Sequence, residues 1–134
     1  MIQLAIESEE DIIVAASFGK SLAREMGFSI VDQTKITVSI SELTRNVINY
    51  GIRGYIQFRK SGRCLEVTVQ DEGPGILNIK EAMRDGMSTG NGLGLGLSGT
   101  QRLMDEFHIE SEVGTGTCII IRKWLPDQDE DKGL

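Results

Sequence analysis

The sequence predicts an α+β fold, a two-layer α/β sandwich in which a mostly antiparallel sheet carries its helices on one face. Three observations predict it. Strand-like segments come in neighbouring pairs, 54–60 with 63–71 and 107–113 with 116–124, each joined by a short glycine-containing turn. Two long helical patterns follow one another before the first of these hairpins. Helices and strands are therefore grouped, unlike the strict alternation of a dinucleotide-binding fold.

The elements follow in order. Ile2, Leu4 and Ile6 alternate and predict a first strand. Ser8 opens a helix, with Asp11 at capping-box spacing, and Gly27 closes it. Ile12, Ala15, Ala16, Leu22, Ala23 and Met26 recur inside it at helical spacing. Ser29 opens the second helix, with Asp32 three residues on, and Gly51 ends it. Its stripe is Ile36, Ile40, Leu43, Val47 and Tyr50. Residues 78–84 can form a short helix, and a further helix is expected from about Ser98 to Glu106. Residues 1–125 are read as a single domain. Residues 126–134 are read as an acidic, disordered tail.

Composition bounds the function. The chain has 134 residues, 40% of them apolar, which is enough for a core. A net charge of -6 offers no basic face for a phosphate backbone, so a nucleic-acid partner is not expected. No apolar stretch approaches the roughly 20 residues of a membrane span. No basic-flanked apolar leader is seen, so a cytoplasmic location is expected. Cys64 and Cys118 fall in separate strands with neither metal-type nor disulfide-framework spacing, and read as reduced, buried thiols. Sixteen glycines stand beside only two prolines in the whole chain, so they are not linker composition, and six of them cluster between Gly86 and Gly99.

Three places could carry chemistry. On the second helix, Glu42, Asn46 and Asn49 share a face about 100° round from the apolar stripe. A carboxylate and a carboxamide one turn apart suit a general base beside a metal ligand. They also suit a solvated helix face. In Asp71-Glu72-Gly73-Pro74-Gly75, Asp71 continues the inward phase of Leu65, Val67 and Val69. Its carboxylate then needs a donor, either a ligand amino group or a local turn N–H. The third place is Gly90-Asn91-Gly92-Leu93-Gly94-Leu95-Gly96-Leu97, running into a helix. Alternate glycines let backbone N–H groups approach an anion, and the helix start adds positive charge. Neither a Walker A lysine nor the strand of a Rossmann fingerprint accompanies it. A plain surface loop is the alternative.

Together these places resemble the GHKL ATPases, the family of gyrase B, MutL and histidine kinases. Within that family the chain resembles the small anti-sigma-factor serine/threonine kinases of the RsbT and RsbW type. "SELTRNVINY" (41–50) is similar to the N-box, and "QDEGPGI" (70–76) to the first glycine box. "STGNGLGLGLSGTQRLMDEF" (88–107) is similar to the second glycine box and its helix, and "ESEVGTGT" (110–117) to the last nucleotide motif. The resemblance runs from about residue 7 to 125. It implies the Bergerat, or histidine-kinase-like ATPase, fold and ATP with Mg²⁺ as cofactors.

Residue by residue, it implies Glu42 as general base and Asn46 as the Mg²⁺ ligand. It places Asp71 on the adenine amino group, with Gly73 and Gly75 shaping the pocket. Gly92, Gly94, Leu95, Gly96 and Leu97 would offer backbone to the phosphates, and Thr117 would stand beside Asp71. Tyr50 departs from the histidine many members carry after the N-box asparagine, and the lid between Gly75 and Gly92 is short. Both departures resemble the RsbT type rather than ATPases coupled to large domain motions.

The expected function is phosphoryl transfer from ATP to a serine or threonine of a partner. The resemblance implies a STAS-domain antagonist as that substrate, and a PP2C-type phosphatase or a sigma factor as a further partner. The alternative is a nucleotide-dependent binding module that sequesters its partner without kinase activity. A free-standing ATPase ranks last. His108 is read as a hairpin-edge residue rather than a phosphoacceptor, so a complete histidine kinase is not expected. The segment 84–97 is expected to be mobile without nucleotide and ordered by a triphosphate.

Overall fold

A computed structural model of the protein describes residues 1–76, 79–83 and 96–127. Strand β1 (Ile2–Ile6) leads into helix α1 (Glu9–Met26) and helix α2 (Ile30–Tyr50). Strands β2 (Gly54–Ser61) and β3 (Cys64–Asp71) form the first hairpin. The short helix α3 (Ile79–Ala82) and helix α4 (Gly96–Leu103) precede the second hairpin, β4 (Glu106–Glu112) and β5 (Gly116–Trp124). The sheet order is β1-β2-β3-β5-β4, and every neighbouring pair is antiparallel. The α+β sandwich expected from the sequence is the fold observed.

Local chemistry explains the helix ends. Asp11 Oδ2 accepts from the backbone N–H of the N-cap Ser8 at 3.1 Å and of Glu7 before it at 2.8 Å, which fastens the incoming chain to the first turn of α1. Ser29 Oγ accepts from Asp32 N at 3.1 Å and starts α2. Helix α4 begins two residues before the expected Ser98. Gly96, at φ 69°, is a conformation open to glycine, so the turn into the helix falls there.

The register arranges the inner face of the sheet as parallel rows. One row crosses Ile2, Phe58, Val67, Ile121 and Phe107. The next crosses Leu4, Ile56, Val69, Ile119 and Ile109. Helix α2 lays Ile36, Ile40, Leu43 and Val47 on these rows, and all four are buried. Tyr50, the last member of the predicted stripe, is 44% exposed because the helix has by then run past the apolar rows. Helix α1 packs against both layers. Phe18 meets Phe58 with ring centroids 4.9 Å apart, and Gly19 lies so close to α2 that a Cβ there would come within 2.2 Å of Ile40 Cδ1.

At the far end, Lys123 is a buried cation. Its Nζ lies 3.2 Å from the Leu103 carbonyl, 3.2 Å from Asp105 Oδ1 and 3.9 Å from Asp32 Oδ1. It ties the start of α2 and the end of α4 to β5. The open face of the sheet carries polar pairs instead, Gln3 with Gln57, Tyr55 with Gln70 and Glu66 with Arg122.

Candidate nucleotide site

A third inner row follows the two apolar ones. It crosses Ile6, Gly54, Asp71, Thr117 and Ser111. The sheet's greasy face therefore turns polar in one step, at the strand ends where α2 also ends. Gly54 keeps this row low, since a Cβ there would lie 2.9 Å from Val47 Cγ1 and 2.2 Å from the Gln70 carbonyl.

Above this row is a cavity of about 350 Å³. Its walls are apolar: Leu43 and Val47 from α2, Val69 and Ile119 from the sheet, and Ile76 beyond the glycine turn. Its polar groups are few. Glu42 and Asn46 enter from α2, and Asp71 and Thr117 from the sheet. Apolar walls with a few converging polar groups are what a flat heteroaromatic ligand requires.

The carboxylate of Asp71 is divided between two tasks. Oδ1 accepts from Gly73 N at 2.8 Å and from Thr117 N at 3.3 Å. The local-turn reading of Asp71 thus holds for one oxygen. Oδ2 accepts no hydrogen bond among the described residues, and the side chain lines the cavity, so a ligand donor can be met there. Gly73 makes this turn possible, because a Cβ would lie 2.6 Å from Gly51 Cα and 2.9 Å from the Tyr50 carbonyl. At Gly116, φ is 141° and a Cβ would sit 2.0 Å from the Asp71 carbonyl, so only glycine lets β5 come this close. Gly75 holds the same loop against Glu112 of β4.

Glu42 is buried, with 9% of its surface exposed. Its Oε1 accepts from Gly96 N at 3.3 Å, at the start of α4, and Arg45 Nη1 stands 3.7 Å from Oε2. The solvated-face reading of this helix side holds for Asn49, which is exposed and does not line the cavity. Glu42 and Asn46 do line it. A group of three or more metal-ligating side chains is not found among the described residues. One carboxamide beside one carboxylate fits Mg²⁺, which keeps waters and takes its other ligands from phosphates.

The structure thus brings Glu42, Asn46, Asp71, Gly75, Gly96, Leu97 and Thr117 to one cavity, with Gly73 packed beneath Asp71. Gly92, Gly94 and Leu95, and the expectation of a mobile 84–97, fall on or reach into 84–95, which lies outside the described residues. Ser111 was not singled out in the sequence, although its strand parity with Phe107 and Ile109 signals an inward side chain. Its hydroxyl lies 2.8 Å from that of Thr117.

The two cysteines are unpaired. Cys64 is buried and Cys118 half-buried, and burial is the main cause that pushes both thiols above their ordinary range, with Glu110 adding to it at Cys118. No helix among the described residues is long and apolar enough to cross a membrane.

A sheet with a two-helix layer and a cavity at its polar edge defines a nucleotide-binding module, and the comparisons with known proteins say which. The model of the histidine kinase-like ATPase domain matches residues 7–123, and the chain belongs to that family. The serine/threonine-protein kinase RsbT of Bacillus subtilis is 45% identical over 124 residues, 90% of this chain and 93% of that protein. The anti-sigma F factor of a Thermoanaerobacter species is 31% identical over 127 residues, 89% of this chain and 85% of that protein. Among solved structures, the RsbU and RsbW domains of a Mycobacterium tuberculosis protein superpose with a TM-score of 0.65 at 18% identity. That likeness covers 93% of this chain and 32% of that one, and it bears on the fold alone.

Proposed function

We propose that the chain is an ATP-dependent serine/threonine protein kinase of the RsbT type, acting in the cytoplasm on a STAS-domain antagonist protein. The observation that carries this reading is the shared cavity. Glu42, buried on α2, faces the same space as the adenine-type acceptors Asp71 and Thr117. A module that only held nucleotide would not need the carboxylate. The 45% identity to a serine/threonine-protein kinase supports the same reading.

In this mechanism the base enters between the apolar walls and donates its exocyclic amino group to Asp71 Oδ2. Thr117 accepts beside it. The triphosphate extends toward Gly96, Leu97 and the glycine-rich segment, where backbone N–H groups receive its charge. Asn46 would hold Mg²⁺, which neutralises phosphate charge when bound. The partner's hydroxyl oxygen bonds to the γ-phosphorus as the bond from that phosphorus to the β–γ bridging oxygen breaks, and ADP leaves. The hydroxyl proton passes to Glu42. A PP2C-type phosphatase or a sigma factor would be the alternating partner. The anti-sigma F factor relatives favour a second reading, in which the nucleotide state only governs sequestration of a partner.

Labelled ATP with Mg²⁺ and purified STAS-domain proteins tests both. The wild-type chain should label one serine or threonine. Glu42→Gln should bind ATP normally while transfer falls by about 10²- to 10⁴-fold, the usual worth of a general base. Asn46→Ala should lose the Mg²⁺-dependent part of binding. Tight ATP binding with no transfer to any candidate would favour sequestration.

A further inference from the structure

Ser111 closes the polar row of the sheet, and its hydroxyl meets three groups. The N–H of Ile76 donates to Oγ at 2.7 Å, the Gly116 carbonyl lies at 3.2 Å, and Thr117 Oγ1 lies at 2.8 Å. A serine hydroxyl has one proton and two lone pairs. A carbonyl only accepts, so the proton of Ser111 goes to Gly116. A backbone N–H only donates, so Ile76 fills one lone pair. The second lone pair is left for Thr117, whose hydroxyl must then be the donor. The proton of Thr117 is thereby turned into the protein, toward Ser111, and away from the cavity.

We infer that Ser111 is a specificity-determining positioning residue: it orders the hydroxyl chain so that Thr117 can only accept from a ligand. A free threonine hydroxyl rotates and can donate or accept as its neighbour demands. Held by Ser111, it matches the adjacent Asp71, whose Oδ2 also only accepts. The pair of Asp71 Oδ2 and Thr117 Oγ1 then presents acceptors alone. It takes a purine whose edge carries an amino donor and opposes one whose edge carries a keto oxygen there. Without Ser111, Thr117 could turn its proton outward and meet the keto group. The same serine pins Ile76 in the cavity wall, so its loss has a general effect as well as a selective one. The inference rests on the nucleotide reading of the cavity and adds a residue that reads which base is bound.

The test measures binding of the Mg²⁺ salts of ATP, GTP and purine riboside triphosphate by calorimetry. The last ligand lacks both amino and keto groups, so it reports the general loss of the Ile76 tether. In wild type, ATP should bind better than GTP. In Ser111→Ala, all three should weaken by a common factor, and the ATP-to-GTP ratio should also fall by about tenfold, the worth of one reordered hydrogen bond. Ser111→Thr keeps the hydroxyl and should restore the ratio. Ser111→Cys, a weaker donor and acceptor, should move the ratio the same way by less, and it carries the test if the alanine variant does not fold. An equal loss for all three ligands, with the ratio unchanged, would make Ser111 a tether only and overturn the inference while leaving the nucleotide reading in place. A wild-type chain that binds none of the three overturns both.

Discussion

Asp71 offers a test in which fold and ligand can be pulled apart. Both described hydrogen bonds, from Gly73 N and Thr117 N, fall on Oδ1. An asparagine can keep its carbonyl oxygen in that place and put its amide nitrogen where Oδ2 was. Asp71→Asn should therefore keep both backbone bonds, now neutral, at a cost of about 1–2 kcal/mol in stability. Asp71→Ala orphans two partly buried N–H groups and should cost about 2–4 kcal/mol. The ligand sees a different change. Asparagine removes a charge-assisted acceptor worth about 1.5–3 kcal/mol and faces the adenine amino group with another donor, so ATP should weaken by about 10- to 150-fold or more. GTP should lose less, since the amide can donate to its keto oxygen. Urea melts give the first pair of numbers, and calorimetry with ATP and GTP the second. If Asp71→Asn binds ATP as wild type does, or falls in stability as far as Asp71→Ala, the division of labour between the two oxygens is wrong.

Two further outcomes concern the scaffold. Gly19→Ala gains up to about 1 kcal/mol of helix propensity but drives a methyl into Ile40 Cδ1, an overpacking cost of about 1–3 kcal/mol. A net fall in melting temperature is expected, and Gly19→Ala with Ile40→Val should recover part of it. For the thiols, burial raises Cys64 and Cys118 above the ordinary value of 9.0. The folded chain then keeps protons that the unfolded chain releases, so this contribution is fully present below pH 9 and is lost as pH rises beyond it. The urea midpoint of wild type should fall more between pH 8 and pH 10 than that of a Cys64→Ser, Cys118→Ser variant, and thiol reagents should react slowly at neutral pH.

The parts of the fold that depend on local chemistry were legible in the sequence. Ser8 with Asp11 and Ser29 with Asp32 mark the helix starts, and both lie where the structure puts them. Period-two alternation placed Asp71 and Thr117 inward, as the cavity requires. The pairing of those two residues, 46 positions apart, is a matter of register between β3 and β5, and strand parity alone could not fix it. Ser111 escaped for the same reason. Its inward parity was readable, but the value of an inward hydroxyl depends on Ile76, Gly116 and Thr117 gathering around it. Asn49 shows the converse: helical angle put it on the face of Glu42, but that face had already left the cavity.

The row arrangement of the sheet has a consequence for how such a protein can change over generations. On the proposed reading, base recognition would rest on three adjacent positions of one rung, Asp71, Thr117 and Ser111, while the next two rungs along the sheet carry the apolar contacts that hold the helices. A mutation in that rung can alter which ligand is preferred without emptying the core, and core positions away from the cavity, such as Ile36, Ile40, Phe58 and Val67, can change without touching the ligand. Ligand choice and foldedness are then separable only in part, since Asp71 and Ser111 also hold backbone and Leu43, Val47, Val69 and Ile119 serve both core and cavity. Gly54 and Gly116 join them as well, because each lets its strand approach the backbone at Gln70 or Asp71, and there a single methyl group would change both at once.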